Sequence, residues 1–189
     1  YINTASEYDF YDDQIIHDAI ERTHDVAHEM IGDVVADKKM KLPSYVVPDD
    51  MTENKALLEA CKKGLVEKGL HNNQEYIDRL KLELSVIRSK EFSKYFLTMK
   101  AILDIAREHM LIGPGRGSAA GSLVAYVLGL TNVDPIEYGL LFERFLSVHR
   151  EGAPDIDTDV GDRDLLIDLL KNNFGKENVV PISNYNTFK

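Results

Sequence analysis

Through the first 110 residues apolar positions recur mostly at helical spacing. Over residues 12–31, Ile16, Ala19, Ile20, Thr23, Ala27, Met30 and Ile31 fall on one side of a predicted helix. Asp50-Met-Thr-Glu53 has capping-box spacing and predicts a helix through Leu65 that buries Leu57, Leu58, Cys61 and Leu65. Gly69 and His71-Asn-Asn73 break that pattern. Residues 74–90 then predict a helix with Tyr76, Leu80, Leu84 and Ile87 on one stripe. The clearest period follows at Phe92, Phe96, Met99, Leu103, Ala106 and Met110. Two stretches fall outside this rhythm: residues 1–10 show no period, and residues 38–48, with two prolines, read as a linker or a short edge strand.

Beyond residue 110 the pattern changes. Leu111-Ile112 predicts a short strand, followed by the loop Gly113-Pro-Gly-Arg-Gly-Ser118 and a helix over residues 118–130. Glycines let a backbone approach phosphate oxygens closely, and a helix starting there turns its N–H groups toward them. Asp134-Pro-Ile-Glu137 predicts another helix start. In Pro154-Asp-Ile-Asp-Thr-Asp159, Asp155, Asp157 and Asp159 alternate with Ile156 and Thr158. On an extended strand the three carboxylates share a face, which suits a hard divalent ion, Mg2+ or Mn2+. A last helix spans residues 163–174 and closes at Gly175.

Composition adds bounds. The 189 residues are 44% hydrophobic and 29% charged, enough for a real core, with no apolar run long enough for a membrane span. No signal peptide is visible, and the opening at Tyr1 reads as a piece of a longer protein. The single Cys61 excludes an internal disulfide. A net charge of −10 weighs against nucleic acid, yet over residues 61–120 basic side chains outnumber acidic ones by 11 to 7. Lys90, Lys94, Lys100 and Arg107 read first as a solvated helix face and second as a track for a DNA backbone.

A P-loop needs Lys after its last glycine, and none is present. Gly115-Arg-Gly117-Ser-Ala-Ala120 matches the short dinucleotide fingerprint but lacks the alternating strands and helices around it. An EF-hand loop starting at Asp155 needs Gly and Glu where Val160 and Leu166 stand. His24-Asp-Val-Ala-His28, with His17 nearby, is similar to a zinc-protease pattern with Asp for Glu, and reads more simply as a half-exposed helix edge. Arg144 and Arg150 lie between the two principal motifs and offer planar forks to phosphate.

Taken together, Gly113-Pro-Gly-Arg-Gly-Ser-Ala-Ala-Gly-Ser-Leu-Val-Ala-Tyr126, Phe142-Glu-Arg-Phe-Leu146 and Pro154-Asp-Ile-Asp-Thr-Asp159 resemble the palm of the C-family replicative DNA polymerases, the bacterial polymerase III alpha type. The resemblance covers some 150 residues, from about Leu42-Pro43 to Asn186-Thr-Phe188. It implies an α+β fold: a polymerase beta-like nucleotidyltransferase palm with a mixed sheet packed against helices and a helix-rich N-terminal half. It implies residues 1–35 as a connector from a preceding phosphoesterase-type domain, and residues 36–189 as a palm cut before its third catalytic carboxylate.

By motif position, Asp155 and Asp157 match the family's metal-binding catalytic carboxylates. Gly117 and Ser118, with Gly115 and Arg116 beside them, match its triphosphate-contacting loop. Arg144 matches a nucleotide-site arginine, and Arg150 is a weaker correspondence. The resemblance further implies a two-metal Mg2+ site, with Mn2+ as substitute, primer-template DNA and deoxynucleoside triphosphates as partners alongside the other polymerase domains and replisome subunits, and a cytoplasmic setting. Asp159 is not the family's third ligand. The spacer before Arg163 is about two residues short, which leaves that arginine's role open and points to a divergent or viral member. Template-directed DNA synthesis is thus expected of the parent protein, with these 189 residues alone inactive. A stand-alone small nucleotidyltransferase and a non-catalytic nucleotide-binding module are the alternatives.

Overall fold

The computed structural model describes residues 12–30, 47, 50–149 and 152–182. The chain divides into two compact units, Tyr1–Lys41 and Leu42–Lys189. In the first, helix α1 (Asp13–Asp25) is capped by the Asp12 side chain, which accepts from the Gln14 amide, and runs into a π-turn at Val26–Met30. The His24 and His28 rings stack against each other with centroids 4.4 Å apart. Among the described residues no group of three or more metal-ligating side chains forms around them.

The second unit is built from α2 (Glu53–Glu67), α3 (Gln74–Ser89), α4 (Ser93–Arg107), the short α5 (Leu123–Val127) and α6 (Arg163–Phe174). Helix α2 packs on α4 and α5, α3 on α5, and α4 on α6. The expected stripes lie on the core side: Leu57, Cys61 and Leu65 of α2, Tyr76, Leu80 and Ile87 of α3, and Phe96, Leu103 and Ala106 of α4 are buried. Leu84, Met99 and Met110 of the same stripes are half-buried, and Leu58, at the edge of the α2 stripe, is 36% exposed. Leu123, Val124, Ala125 and Val127 fill the centre, and Phe96, Phe145 and Phe142 continue it through edge-on ring contacts. Each large apolar side chain buried there contributes about 1.5–3 kcal/mol. Cys61 is a free, fully buried core residue, and burial pushes its thiol up.

The fold departs from the expected α+β palm with its mixed sheet. Among the described residues no strand or sheet forms, and the segments expected as strands meet only in an isolated antiparallel bridge between Ile112 and Val160. Gly113 N–H donates to Asp159 O at 2.8 Å and Gly161 N–H to Leu111 O at 2.9 Å, and the pairing ends there. The reasons are local. Leu111-Ile112 is followed by Gly113 and then by Pro114, which has no N–H to give a ladder. On the facing segment the Ile156 N–H is taken by a side chain, the Tyr95 phenol.

Two helix starts also differ from expectation. The glycine loop runs first into a 3-10 turn at Gly117–Gly121, and α5 begins after Ser122, whose Oγ accepts from Ala125 N–H. Residues 135–139 form a turn, not a helix. Asp134 caps it, accepting from Ile136 and Glu137 N–H, and its other oxygen accepts from the Tyr76 hydroxyl at 2.8 Å. Burial, then that hydrogen bond, pushes the Tyr76 phenol up from 10.0 to about 12. A raised phenol stabilises the fold fully below pH 10 and loses that contribution as pH rises through about 12. Tyr76→Phe is therefore expected to flatten the fall in thermal stability across that alkaline window relative to wild type. Parallel curves for the two proteins would contradict it.

Candidate nucleotide and metal site

The glycine loop is held on both sides. Asn132 N–H donates to Pro114 O at 2.7 Å, and Gly113 N–H joins the loop to the acidic segment at Asp159. Gly115 has φ +95°, and a Cβ there would lie 2.8 Å from Thr131 Cβ, so the turn is left-handed and closely packed. Gly117 has φ +67°, and its missing Cβ would sit 3.3 Å from Asp157 Oδ2. The backbone of the loop thus lies directly against the Asp157 carboxylate. Arg116, Gly117 and Ser118 are all exposed.

Across from the loop, residues 154–159 form no helix or turn, and of the alternating partners expected from the sequence Ile156 is buried and Thr158 half-buried. Pro154 and Ile156 are buried, while Asp155, Asp157 and Asp159 are exposed. Sharing a face does not gather the three carboxylates, because same-face positions on an extended chain are roughly 6.6 Å apart. Among the described residues no group of three potential ligands is close enough to hold an ion. Asp159 is instead paired with Arg116 at 3.1 Å. Among the described residues Asp155 and Asp157 form no ion pair, so two hard oxygen donors stand open beside a backbone cradle. That donor set fits Mg2+, which takes one or two protein carboxylates and completes its shell with water and substrate phosphates. Burial pushes the Tyr95 phenol up; the Ile156 amide offsets this, and the charges of Asp155 and Asp157 add to it.

Arg144 ends the 3-10 turn Phe142–Arg144, is exposed, and belongs to a turn that packs against Gly117–Gly121. Arg150 lies outside the described residues. Arg163 starts α6 and lies 3.7 Å from Asp164.

One residue that positions the start of α5 went unnoticed in the sequence. Glu83 of α3 is fully buried. Its Oε1 accepts from Arg79 Nε at 2.7 Å and Leu123 N–H at 2.9 Å, and its Oε2 from Ser122 Oγ and Val124 N–H, both at 2.9 Å. The carboxylate thus caps the first amides of α5. Arg79 continues outward and donates to Gly121 O and Leu140 O. Burial pushes the Glu83 carboxyl up, and its donors pull it back.

A separate cleft of about 410 Å3 lies between α2, α4 and the end of α5, and none of its lining residues belongs to the loop or the acidic segment. It gathers Lys63, Lys68, Lys100 and Arg107, but each has a local partner. Lys63 pairs with Glu67, Lys100 and Arg107 pair with Asp104, Arg107 also donates to Gly129 O, and Lys68 lies over the Tyr126 ring. On α4, Lys100 and Arg107 are accounted for as a surface ion-pair face.

Residues 55–189 match the family described as the bacterial DNA polymerase III alpha NTPase domain. Among curated proteins the chain is 44% identical over 155 residues to the DNA polymerase III subunit alpha of Aquifex aeolicus, covering 78% of this chain and 13% of that protein. It is 40% identical over 173 residues to the Bacillus subtilis subunit of the same name, covering 90% of this chain and 15% of that one. To the Thermotoga maritima subunit it is 52% identical over 111 residues, 57% of this chain and 13% of the relative. The chain therefore spans well under a fifth of the length of these relatives. A family match over most of its length, joined to these identities, shows that the chain belongs to the bacterial DNA polymerase III alpha family.

Proposed function

We propose that this chain carries the nucleotide- and metal-binding part of template-directed DNA synthesis, working within a larger replicative polymerase. The observation that carries the reading is that Asp157 Oδ2 lies against Gly117, 3.3 Å from where a Cβ on that residue would stand. A triphosphate on the loop and a cation on the carboxylates would then be neighbours. Asp155 and Asp157 would hold Mg2+, with Mn2+ as substitute, and the amides around Gly117 and Ser118 would hold phosphate oxygens in line with a primer 3'-hydroxyl. Arg116 and Arg144 would add positive charge to the phosphate side. When bound, the metal supplies Lewis-acid stabilisation of phosphate charge and a lowered hydroxyl pKa.

In this reading residues 36–189 form the catalytic portion, residues 1–35 lead into it, and primer-template DNA, deoxynucleoside triphosphates and replisome subunits are the partners, in the cytoplasm. No described helix is long and apolar enough to cross a membrane. Work as a stand-alone nucleotidyltransferase is disfavoured, because each candidate third carboxylate has another task. Asp159 pairs with Arg116, Asp162 caps α6 by accepting from Leu165 N–H, and Asp164 lies against Arg163. The 189 residues alone should accordingly show negligible primer extension.

Titration of Mn2+, followed by electron paramagnetic resonance, into wild type and Asp157→Ala tests the proposal. Wild type is expected to bind in the millimolar range or tighter, and Asp157→Ala about 10-fold or more weaker, the scale of losing a metal-site group. Equal binding by both would sink the metal assignment and leave a nucleotide-binding module without catalysis.

A further inference from the structure

We propose that Tyr95 is a positioning residue for the metal-binding carboxylates, acting through the backbone of Ile156. The inference rests on the proposed function and goes beyond it, since no motif placed Tyr95 in the site.

Among the described residues the acidic segment belongs to no helix and no sheet. Among the described residues its backbone is pinned at two points. One is the bridge at its far end, where Gly113 N–H donates to Asp159 O. The other lies in its middle, where Ile156 N–H donates to the Tyr95 phenolic oxygen at 3.1 Å. Ile156 stands between Asp155 and Asp157, so the peptide linking it to Asp155 is the one the phenol holds. The Ile156 side chain is 7% exposed and anchors the segment from the opposite face.

Tyr95 is itself fixed. It sits in the first turn of α4, half-buried, with its ring edge-on to Phe96 at 5.9 Å, and Phe96 is fully buried against Phe145. The phenol thus ties the peptide between Asp155 and Ile156 to the rigid α4. A pair of carboxylates held at fixed spacing loses less conformational freedom on taking an ion than a free pair does. This is the familiar logic by which groups behind the ligands tune a metal site.

Tyr95→Phe keeps the ring and removes only the acceptor. Two readouts on the 189-residue chain separate positioning from general stability. Amide exchange at Ile156 is expected to quicken by about tenfold, the scale of one hydrogen bond lost, with the exchange of α4 core amides unchanged. Mn2+ affinity by electron paramagnetic resonance is expected to fall by about tenfold, with phosphate-free buffer and no nucleotide present. In wild type, Mg2+ should slow Ile156 exchange, a readout that needs no variant.

Unchanged Ile156 exchange in Tyr95→Phe, or Mn2+ affinity within twofold of wild type while Asp157→Ala loses the ion, would overturn the role of Tyr95 and leave the proposed function standing. Asp157→Ala binding Mn2+ as wild type does would overturn both.

Discussion

Glu83→Ala is expected to destabilise the Leu42–Lys189 unit by about 3–5 kcal/mol, the usual cost of breaking a buried ion pair by removing one partner. The carboxylate is completely buried and takes four donors, from Arg79, Ser122, Leu123 and Val124. Removing it orphans the first amides of α5 and leaves the Arg79 guanidinium with carbonyl acceptors alone. The amides lose their acceptor inside the core, while the Arg79 side chain, 22% exposed, keeps partial access to water. Glu83→Gln keeps one good acceptor and should cost clearly less. Urea unfolding of the three proteins checks this, and a loss below about 1 kcal/mol for the alanine variant would show the network to be dispensable. Because Ser122 directly follows the Gly117–Gly121 turn, the same variant should also weaken triphosphate binding.

Gly117→Ala carries the second large effect, and it is confined to nucleotide. The residue has φ +67°, where a side chain costs about 1–2 kcal/mol, and its Cβ would enter the gap before Asp157 Oδ2. That gap is where phosphate and metal must meet. Affinity for a deoxynucleoside triphosphate with Mn2+ is expected to fall by about tenfold or more, while Mn2+ alone binds nearly as in wild type. Calorimetry on both ligands resolves the pair. An equal loss for the free ion would mean that the substitution simply unseats Asp157, and unaltered nucleotide binding would remove the loop from the site.

The legible and illegible parts of this fold separate by range of interaction. Helical stripes such as Phe92, Phe96, Leu103 and Ala106 depend on spacing alone, and all four are buried. The burial of Ile156 between exposed Asp155 and Asp157 was legible for the same reason, whereas Thr158, on the same alternation, is only half-buried. Helix starts were harder, because Ser118 and Ser122 are equally good caps by type, and only the Glu83 network selects Ser122. Glu83 did leave a trace. It lies three residues after Leu80 and four before Ile87, on the apolar stripe of α3, and a carboxylate at a core position calls for buried donors. The mixed sheet was an expectation of family likeness rather than of residue pattern. Two apolar residues ahead of Gly113-Pro114, facing a segment whose central amide goes to Tyr95, sustain one bridge and no ladder.

The proposed site puts the phosphates on the loop within reach of an ion on the Asp157 carboxylate, which lies against Gly117. Phosphorus relaxation of a deoxynucleoside triphosphate, measured on the chain with substoichiometric Mn2+, reads that proximity directly. Paramagnetic broadening of the phosphate resonances beyond that of the same Mn2+–nucleotide mixture without protein is expected in wild type, and loss of that excess in both Asp157→Ala and Gly117→Ala. Broadening that survives Asp157→Ala undiminished would place the ion on the nucleotide alone and contradict the account.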